Sequence, residues 1–331
     1  MAMKCKKLPK DTRWLCLLTA SLLLLAGCSG APAVAPAPQP AQQEVEAATL
    51  IEDQEVPLAE AANNVLVPTR SGKVVHSNSR AEIDASNTAE GYIIVRYTGS
   101  AQKVKLQITC SGAKTYTYDL STSGKSEVFP LTSGDGTYSI KIFEHVGGNQ
   151  YSQALSASVT VKLRSELLPY LYPNQYVNFN ANSATVKKSE ELAKDVASSL
   201  AIVEKVYNYV VENIAYDTQK AKTVQSGYLP EVDAVLQSKK GICFDYAAVM
   251  AAMLRAQGIP TRLEVGYASN GAYHAWISVY IKDVGWVNNV IRFDGKTWKL
   301  MDPTFASSVN QSASIMQYIG DGSNYQTAYR Y

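Results

Sequence analysis

The sequence is poor in the residues that build metal sites and disulfide frameworks. Its 331 residues include five cysteines and three histidines, and no CxxC pair or Cys/His cluster occurs. A structural zinc site needs about four such ligands at short spacings. We therefore expect no metal site, and no motif in the sequence indicates a cofactor.

The excess of positive over negative charge is confined to the first 27 residues. The formal net charge is +2, and removing residues 1–27 takes away five basic residues and one acidic residue, which leaves −2. Proteins that bind nucleic acid carry a basic patch or stripe, and none is visible here. Nucleic acid is therefore not an expected partner.

The N-terminal apolar run, residues 14–26, follows five basic residues and is shorter than the roughly 20 residues that span a bilayer. It ends in Leu25-Ala26-Gly27-Cys28, which resembles the lipobox of bacterial lipoproteins. The resemblance implies a signal peptide over residues 1–27 and lipidation of Cys28. We expect a protein anchored to the outer face of a bacterial membrane. An uncleaved membrane helix is the alternative.

Residues 28–62 are rich in Pro, Ala and Gln without apolar periodicity, which predicts a disordered tether. Residues 63–164 then contain short runs rich in β-branched and aromatic residues, separated by turn clusters. These runs are YIIVRYT, KVKLQITC, KTYTYDL, GTYSIKIFE and ASVTVKL. They predict an antiparallel β-sandwich, for which an immunoglobulin-like arrangement is one option. Such a domain binds a partner or acts as a spacer.

Residues 165–331 have a different pattern, which predicts an α+β domain. Apolar residues at three- and four-residue steps from Leu192 to Ile214 predict one long helix. A second helix is expected from Cys243 to Gln257, with Gly258 as its C-terminal cap. The strands TRLEVGYA and HAWISVYI follow, and then a hairpin around an Asp-Gly turn. Because Cys110 and Cys243 fall in different predicted domains, we expect no disulfide between them.

Cys243 is a candidate nucleophile because it begins a predicted helix. The exposed N–H groups and the dipole at a helix N-terminus favour a thiolate. Free cysteine is also among the most buried residue types, so from this position alone a small residue that starts a buried helix is the favoured alternative.

His274 opens a predicted strand and Asp302 closes one. If these strands pair antiparallel, directly or across the hairpin, the two side chains can lie at the same end of the sheet. Asp302 could then accept a hydrogen bond from one ring nitrogen of His274 and leave the other facing the thiol. A surface or core histidine and an Asp-Pro turn are the alternatives.

The stretches GICFDYAAVMAAMLRAQGIPTRLEVGY, HAWISVYI and MDPT, taken together, resemble the transglutaminase-like superfamily, whose core is related to the papain fold. The resemblance covers about residues 192–305. It implies that Cys243 is the nucleophile, that His274 is its partner and that Asp302 orients the histidine. It also implies that Tyr216, in IAYDT, helps to hold an oxyanion beside the N–H of Cys243.

This family chemistry is attack on an amide carbonyl, which gives an acyl-enzyme thioester. With water as the second reactant the enzyme is a cysteine peptidase or amidase, which we favour slightly, and with an amine it is a transamidase. No acidic run has calcium-loop spacing. Expected substrates are proteins or peptides, including cell-wall peptides. The competing interpretation is a catalytically inactive surface lipoprotein that uses the same fold for binding.

Overall fold

The fold is given by a computed structural model, which describes residues 65–268, 271, 273–293, 298–300 and 325–331. The predicted signal peptide, lipidation site and tether lie outside these residues. In chain order, antiparallel sheets come first, and helices and a further sheet follow. None of the described helices is long and apolar enough to cross a membrane.

Eight strands form two four-stranded antiparallel sheets. The first has the order β1-β2-β3-β6 and consists of β1 (Val75–Ser77), β2 (Ala81–Asp84), β3 (Tyr92–Tyr97) and β6 (Ser126–Pro130). The second has the order β5-β4-β7-β8 and consists of β4 (Val104–Cys110), β5 (Thr115–Leu120), β7 (Gly136–Gly147) and β8 (Gln150–Val161). The five strands expected from sequence are confirmed. Strands β1, β2 and β6 were not predicted.

The two sheets pack face to face because their strands alternate between buried and solvent-facing residues. In β4 the buried positions are Val104, Leu106, Ile108 and Cys110, and the residues between them are partly exposed. Side chains of both sheets belong to one hydrophobic core. Period-two alternation of this kind is what allows one face of a sheet to be buried. The β-sandwich is therefore confirmed, and its immunoglobulin type stays a prediction.

The single long helix predicted from Leu192 to Ile214 is wrong. The structure has two helices there, α1 (Ala184–Ala193) and α2 (Ser199–Asn213). Between them Asp195 adopts a left-handed backbone conformation, with φ of 61°. The side chain of Ser198 then caps α2 by accepting a hydrogen bond from the N–H of Ala201, at 3.1 Å. Apolar residues continue in register across this break, so periodicity alone did not reveal it.

Three further helices follow: α3 (Thr218–Thr223), α4 (Val232–Ser238) and α5 (Cys243–Ala256). Helix α5 is central, because every residue from Asp245 to Ala256 is buried. The prediction for α5 is confirmed at its first residue and within one residue at its end. Gly258 follows with φ of 71°, the left-handed conformation expected of a C-terminal cap.

A five-stranded antiparallel sheet packs against α5. Its order is β14-β13-β12-β11-β15, with β11 (Thr261–Ala268), β12 (Tyr273–Ile281), β13 (Gly285–Phe293), β14 (Trp298–Leu300) and β15 (Tyr325–Arg330). The strands expected over β11 and β12 are confirmed, as is the antiparallel hairpin of β13 and β14. Strand β15 was not predicted.

Aromatic rings connect the β-sandwich to the helical region. Tyr176, in the connecting segment, lies 5.8 Å from Tyr118 of β5 and 5.5 Å from Phe244 of α5, measured between ring centroids. It also lies 4.3 Å from Tyr331. Ring pairs at 4.5–7 Å contribute about 0.5–1.5 kcal/mol each beyond their burial. The residue that follows Cys243 is therefore in continuous aromatic contact with the sandwich.

Candidate active site

A short parallel strand pair positions the start of α5. Strand β9 (Ala215–Tyr216) pairs with β10 (Lys240–Gly241), and Tyr216 is opposite Gly241. The N–H of Asp217 donates to the carbonyl of Gly241 at 2.8 Å, which closes the pair. Since Cys243 comes two residues after Gly241, this pairing brings Tyr216 beside the first turn of α5.

The sulfur of Cys243 lies against the beginning of β12. Cys243 is a half-buried free thiol. Burial raises its pKa, and hydrogen bonds from the backbone N–H groups of Ala275 and Phe244 lower it in part. Ala275 is the residue after His274, so the thiol is adjacent to the His274–Ala275 peptide. The structure thus brings two of the predicted site positions together in the fold.

His274 is half-buried at the second position of β12. It is opposite Gly266 of β11. A side chain at Gly266 would collide with the neighbouring strand, since its Cβ would lie 2.0 Å from the carbonyl oxygen of Gln326. Desolvation lowers the pKa of His274 below its ordinary value. A histidine with a lowered pKa is neutral near pH 7, which is the form that accepts a proton.

Tyr216 is half-buried and lies near the thiol. Burial raises its pKa, and the charge of the Cys243 thiolate raises it further. That charge also contributes to the raised pKa of Tyr273, after burial and neighbouring tyrosines. Both phenols therefore remain protonated near neutral pH and are able to donate hydrogen bonds.

Asp302 lies outside the described residues, as does Cys28. The strand before Asp302, β14, is described. One arrangement considered from sequence required this strand to pair antiparallel with the strand of His274, and it does not. Strand β13 lies between β12 and β14 and is antiparallel to both, so β14 runs in the same direction as β12. Leu300 is level with Ile277 rather than with His274. Strand β13 of the hairpin separates the two strands, so β14 runs opposite to the direction that direct pairing with β12 would give. The role of Asp302 stays a prediction.

A buried carboxylate, that of Asp245, organises the start of α5. Asp245 is fully buried, and its carboxylate accepts the N–H of Ile242 at 2.8 Å, as expected for the first helical turn. It also accepts from Lys220 Nζ at 2.7 Å and from the phenol of Tyr228 at 2.5 Å. Lys220 and Tyr228 were missed, because α3 and the following loop have no sequence signal that links them to α5.

Gly241 allows this cluster to form. A Cβ at position 241 would lie 2.7 Å from the Cβ of Asp245 and 3.2 Å from its Oδ2. Real Cβ atoms do not approach so closely, so any larger residue would displace the carboxylate. The glycine in the GIC stretch is therefore required by packing against Asp245.

The arrangement favours acyl transfer by a thiol. A sulfur at a helix start, a neutral imidazole on the neighbouring strand and a protonated phenol beside the thiol are the components of nucleophilic attack on a carbonyl. Within the described ranges, no three Cys, His, Asp or Glu side chains are grouped in a way that could hold a metal ion.

Comparison with known proteins identifies the same region. Residues 187–289 match the family model of the transglutaminase-like superfamily, and the match contains Cys243, His274 and Tyr216. The uncharacterized protein YebA of Bacillus subtilis is 26% identical over 148 residues, which is 38% of this chain and 20% of the relative. The UPF0252 protein MJ1282 of Methanocaldococcus jannaschii is 31% identical over 98 residues, 26% of this chain and 28% of the relative. The chain thus spans well under a third of either curated relative.

Two solved structures are also similar in part. One, from Cytophaga hutchinsonii, is described as a candidate cysteine protease; it is 16% identical, covers 58% of this chain and 71% of its own, and has a TM-score of 0.30. The other, the transglutaminase of red sea bream, is 14% identical, covers 62% of this chain and 49% of its own, and has a TM-score of 0.27. These TM-scores are low, and neither likeness bears on the function proposed below.

We predict that Lys220 adjusts the acidity of Cys243. The charge of Asp245 contributes to the raised pKa of the thiol, and the ammonium of Lys220 offsets that charge. Lys220→Met should therefore raise the midpoint of the pH profile for iodoacetamide alkylation of Cys243 by roughly half to one unit.

The matched control is Lys222→Met, because Lys222 is an exposed lysine of the same helix and should leave the profile unchanged. A lysine with only a structural role would lower the melting temperature without moving the midpoint. That result would contradict the prediction.

Proposed function

We propose that this chain, whose residues 187–289 form a transglutaminase-like domain, is a thiol enzyme that acts on peptide or side-chain amides through a thioester at Cys243. One observation carries the proposal. The sulfur of Cys243, at the start of α5, accepts a hydrogen bond from the backbone N–H of Ala275, the residue after His274. A nucleophile and its base must be neighbours for such chemistry.

In the proposed reaction, the imidazole of His274 takes the proton of the Cys243 thiol as the sulfur attacks the amide carbonyl carbon. The carbonyl oxygen becomes an oxyanion, which the phenol of Tyr216 and the N–H of Cys243 stabilise. The C–N bond then breaks, and the imidazolium protonates the leaving amine. Water or a second amine then attacks the thioester carbon and gives a proton to His274. The C–S bond breaks, the imidazolium returns the proton to the sulfur, and the carboxylic acid or the new amide leaves. Asp302 would orient the imidazole.

The protonation states of the free protein fit the first step. Burial raises the pKa of Cys243 and lowers that of His274. Each shift favours the neutral form, so the resting pair is a thiol and a free imidazole base. The competing proposal, an inactive binding protein of the same fold, is supported by the raised pKa of Cys243, because a neutral thiol is a poor nucleophile.

Alkylation of native protein distinguishes these proposals. If His274 removes the thiol proton as the sulfur attacks, Cys243 should react with iodoacetamide at pH 7 despite its raised pKa, and His274→Ala should slow the reaction by roughly tenfold or more. Mass spectrometry would measure the labelling rate at Cys243.

Two variants control this experiment. His145→Ala removes a half-buried histidine of strand β7 in the sandwich and should have no effect. Cys243→Ala should abolish fast labelling, since Cys110 is buried. Equal and slow labelling of the wild type and His274→Ala would favour the binding protein.

Hydrolysis is the favoured outcome, because water needs no second binding site. With a glutamine-containing protein and a labelled primary amine, we expect free glutamate or a new N-terminus to appear without stable amine incorporation. Incorporation without hydrolysis would show a transamidase instead.

Tyr216→Phe should lower the turnover of either reaction by about 100-fold, as expected for an oxyanion donor. Unchanged turnover would exclude Tyr216 from that role.

The proposed location is the outer face of a bacterial membrane, with the lipid anchor at Cys28 and with peptide amides of the cell wall or of surface proteins as substrates. The LAGC stretch motivates this proposal. Expression in bacteria should give a membrane-bound chain whose mass lacks residues 1–27 and includes the lipid. Cys28→Ser should abolish lipidation and retain the signal. A wild-type chain that keeps residues 1–27 would contradict the anchor.

A further inference from the structure

A cleft of about 290 Å³ lies between the β-sandwich and the helical region. Its walls are residues 125–128 at strand β6, the connecting segment around residues 173–179, and Leu229 and Glu231 before helix α4. The volume is near the lower end of the roughly 300–1,000 Å³ typical of ligand pockets. Neither Cys243 nor His274 lines it, so this is a second location, separate from the thiol.

One wall of the cleft is the edge of a sheet. Strand β6 is last in the order β1-β2-β3-β6. The carbonyl of Val128 points away from the sheet and accepts the N–H of Gln175 at 3.1 Å. The connecting segment therefore occupies this side of β6 at Val128. Because alternate residues of an antiparallel strand direct their main-chain groups to the same side, Ser126 turns its N–H and C=O to this side as well. A further strand could pair with the edge at Ser126, next to the connecting segment.

Two buried amide side chains line the cleft, and each has one polar atom unsatisfied within the described part of the chain. Asn174 accepts the N–H groups of Tyr176 and Val177 at 3.0 Å, and its Nδ2 has no partner. Gln175 donates to the carbonyl of Asp119 at 2.6 Å, and its Oε1 has no partner. An unsatisfied buried polar atom costs about 1–3 kcal/mol. Both atoms are shielded from solvent, so a ligand would reach them only if the amide side chains turn into the cleft. One free donor and one free acceptor would then match the two polar atoms of a peptide group.

The third wall of the cleft is linked to the cluster behind the thiol. The charge of Glu231 contributes to the raised pKa of Tyr228, after burial and the hydrogen bond to Asp245. The ring of Tyr228 lies 6.4 Å from that of Phe244, the residue after Cys243. A ligand in the cleft would therefore contact the residues next to those that hold the start of α5.

We propose that this cleft binds an extended peptide segment of the substrate. The segment adds to the edge of β6, and the protein recognises the main-chain groups of the peptide. This inference rests on the proposed function, since the bound segment belongs to the chain whose amide reaches Cys243. It assigns the β-sandwich a part in substrate binding. Recognition of main-chain groups makes the site tolerant of sequence, and the amide side chains make it selective for peptide groups.

The test uses the full chain with Cys243→Ala, which can bind substrate without turnover. An array of N-acetylated, C-amidated octapeptides selects a ligand, and fluorescence anisotropy with the labelled peptide gives its Kd. Ser126→Pro removes the N–H at the open edge and should weaken binding by about tenfold, the effect of one or two hydrogen bonds. Proline is tolerated here, since Ser126 is the first residue of an edge strand.

The matched control is Ser126→Ala, which changes only the side chain and should leave the Kd within about twofold. Equal affinity of Ser126→Pro and Ser126→Ala, or no peptide binding at all, would overturn the proposal. So would displacement of the peptide by chitotetraose, because a glycan would then be the ligand.

A second measurement covers the case in which Ser126→Pro fails to fold. The selected peptide carrying photo-leucine should cross-link to residues 125–128 or 173–179, and cross-links confined to other segments would refute the cleft. Alkylation of wild-type Cys243 reports on the enzyme separately. Peptide binding with an inert thiol would retain the cleft and reject the enzyme, and a reactive thiol without peptide binding would do the reverse.

Discussion

The carboxylate of Asp245 is fully buried, and it constrains the elements around the thiol. A carboxylate removed from water costs several kcal/mol unless its oxygens are paired. Here the pairing groups come from three places: Lys220 in α3, Tyr228 in the following loop and the N–H of Ile242 before α5. Satisfying one carboxylate therefore fixes the loop, the small helix and the first turn of α5 relative to one another. Cys243 belongs to that turn, so its position follows from the same constraint.

The other end of α5 is held in a similar way by a buried cation. Arg255 is 1% exposed and donates to the carbonyls of Thr261, Tyr172 and Tyr331 at 2.7–2.9 Å. Thr261 is the first residue of strand β11, Tyr172 belongs to the connecting segment, and Tyr331 directly follows strand β15. The planar guanidinium supplies several donors in a fixed geometry, which lysine cannot do. A helix whose middle is packed by alanines thus has one charged group near each end. Asp245 holds the first turn against α3 and the following loop, and Arg255 holds the other end against the sheet and the connecting segment.

The elements around the thiol could be predicted from sequence because their signals are local. Helix α5 ends where Gly258 provides a left-handed residue, and β11 and β12 form over the runs that predict strands. The partners of Asp245 could not be predicted, because Lys220 is 25 residues away and belongs to a helix without buried residues of its own. The break between α1 and α2 was hidden for another reason, since its apolar residues stay in phase on both sides. The strand before Asp302 does not pair directly with that of His274, because β13 lies between them, and one intervening antiparallel strand makes the two run in the same direction.

The opposite pKa shifts of Cys243 and His274 have a consequence for the proposed reaction. Burial disfavours both charges, so a preformed thiolate–imidazolium pair is less stable here than in an open site. The proton would then move during attack, when the negative charge passes from sulfur to the carbonyl oxygen. The N–H of Ala275 and Phe244 would stabilise the sulfur briefly, and Tyr216 would take over at the oxygen. Charge would be most stabilised in the transition state rather than in the free enzyme, which is the condition for a higher catalytic rate. A cleft that binds the remote part of the substrate fits this arrangement, because its binding energy can offset the desolvation of the reacting amide.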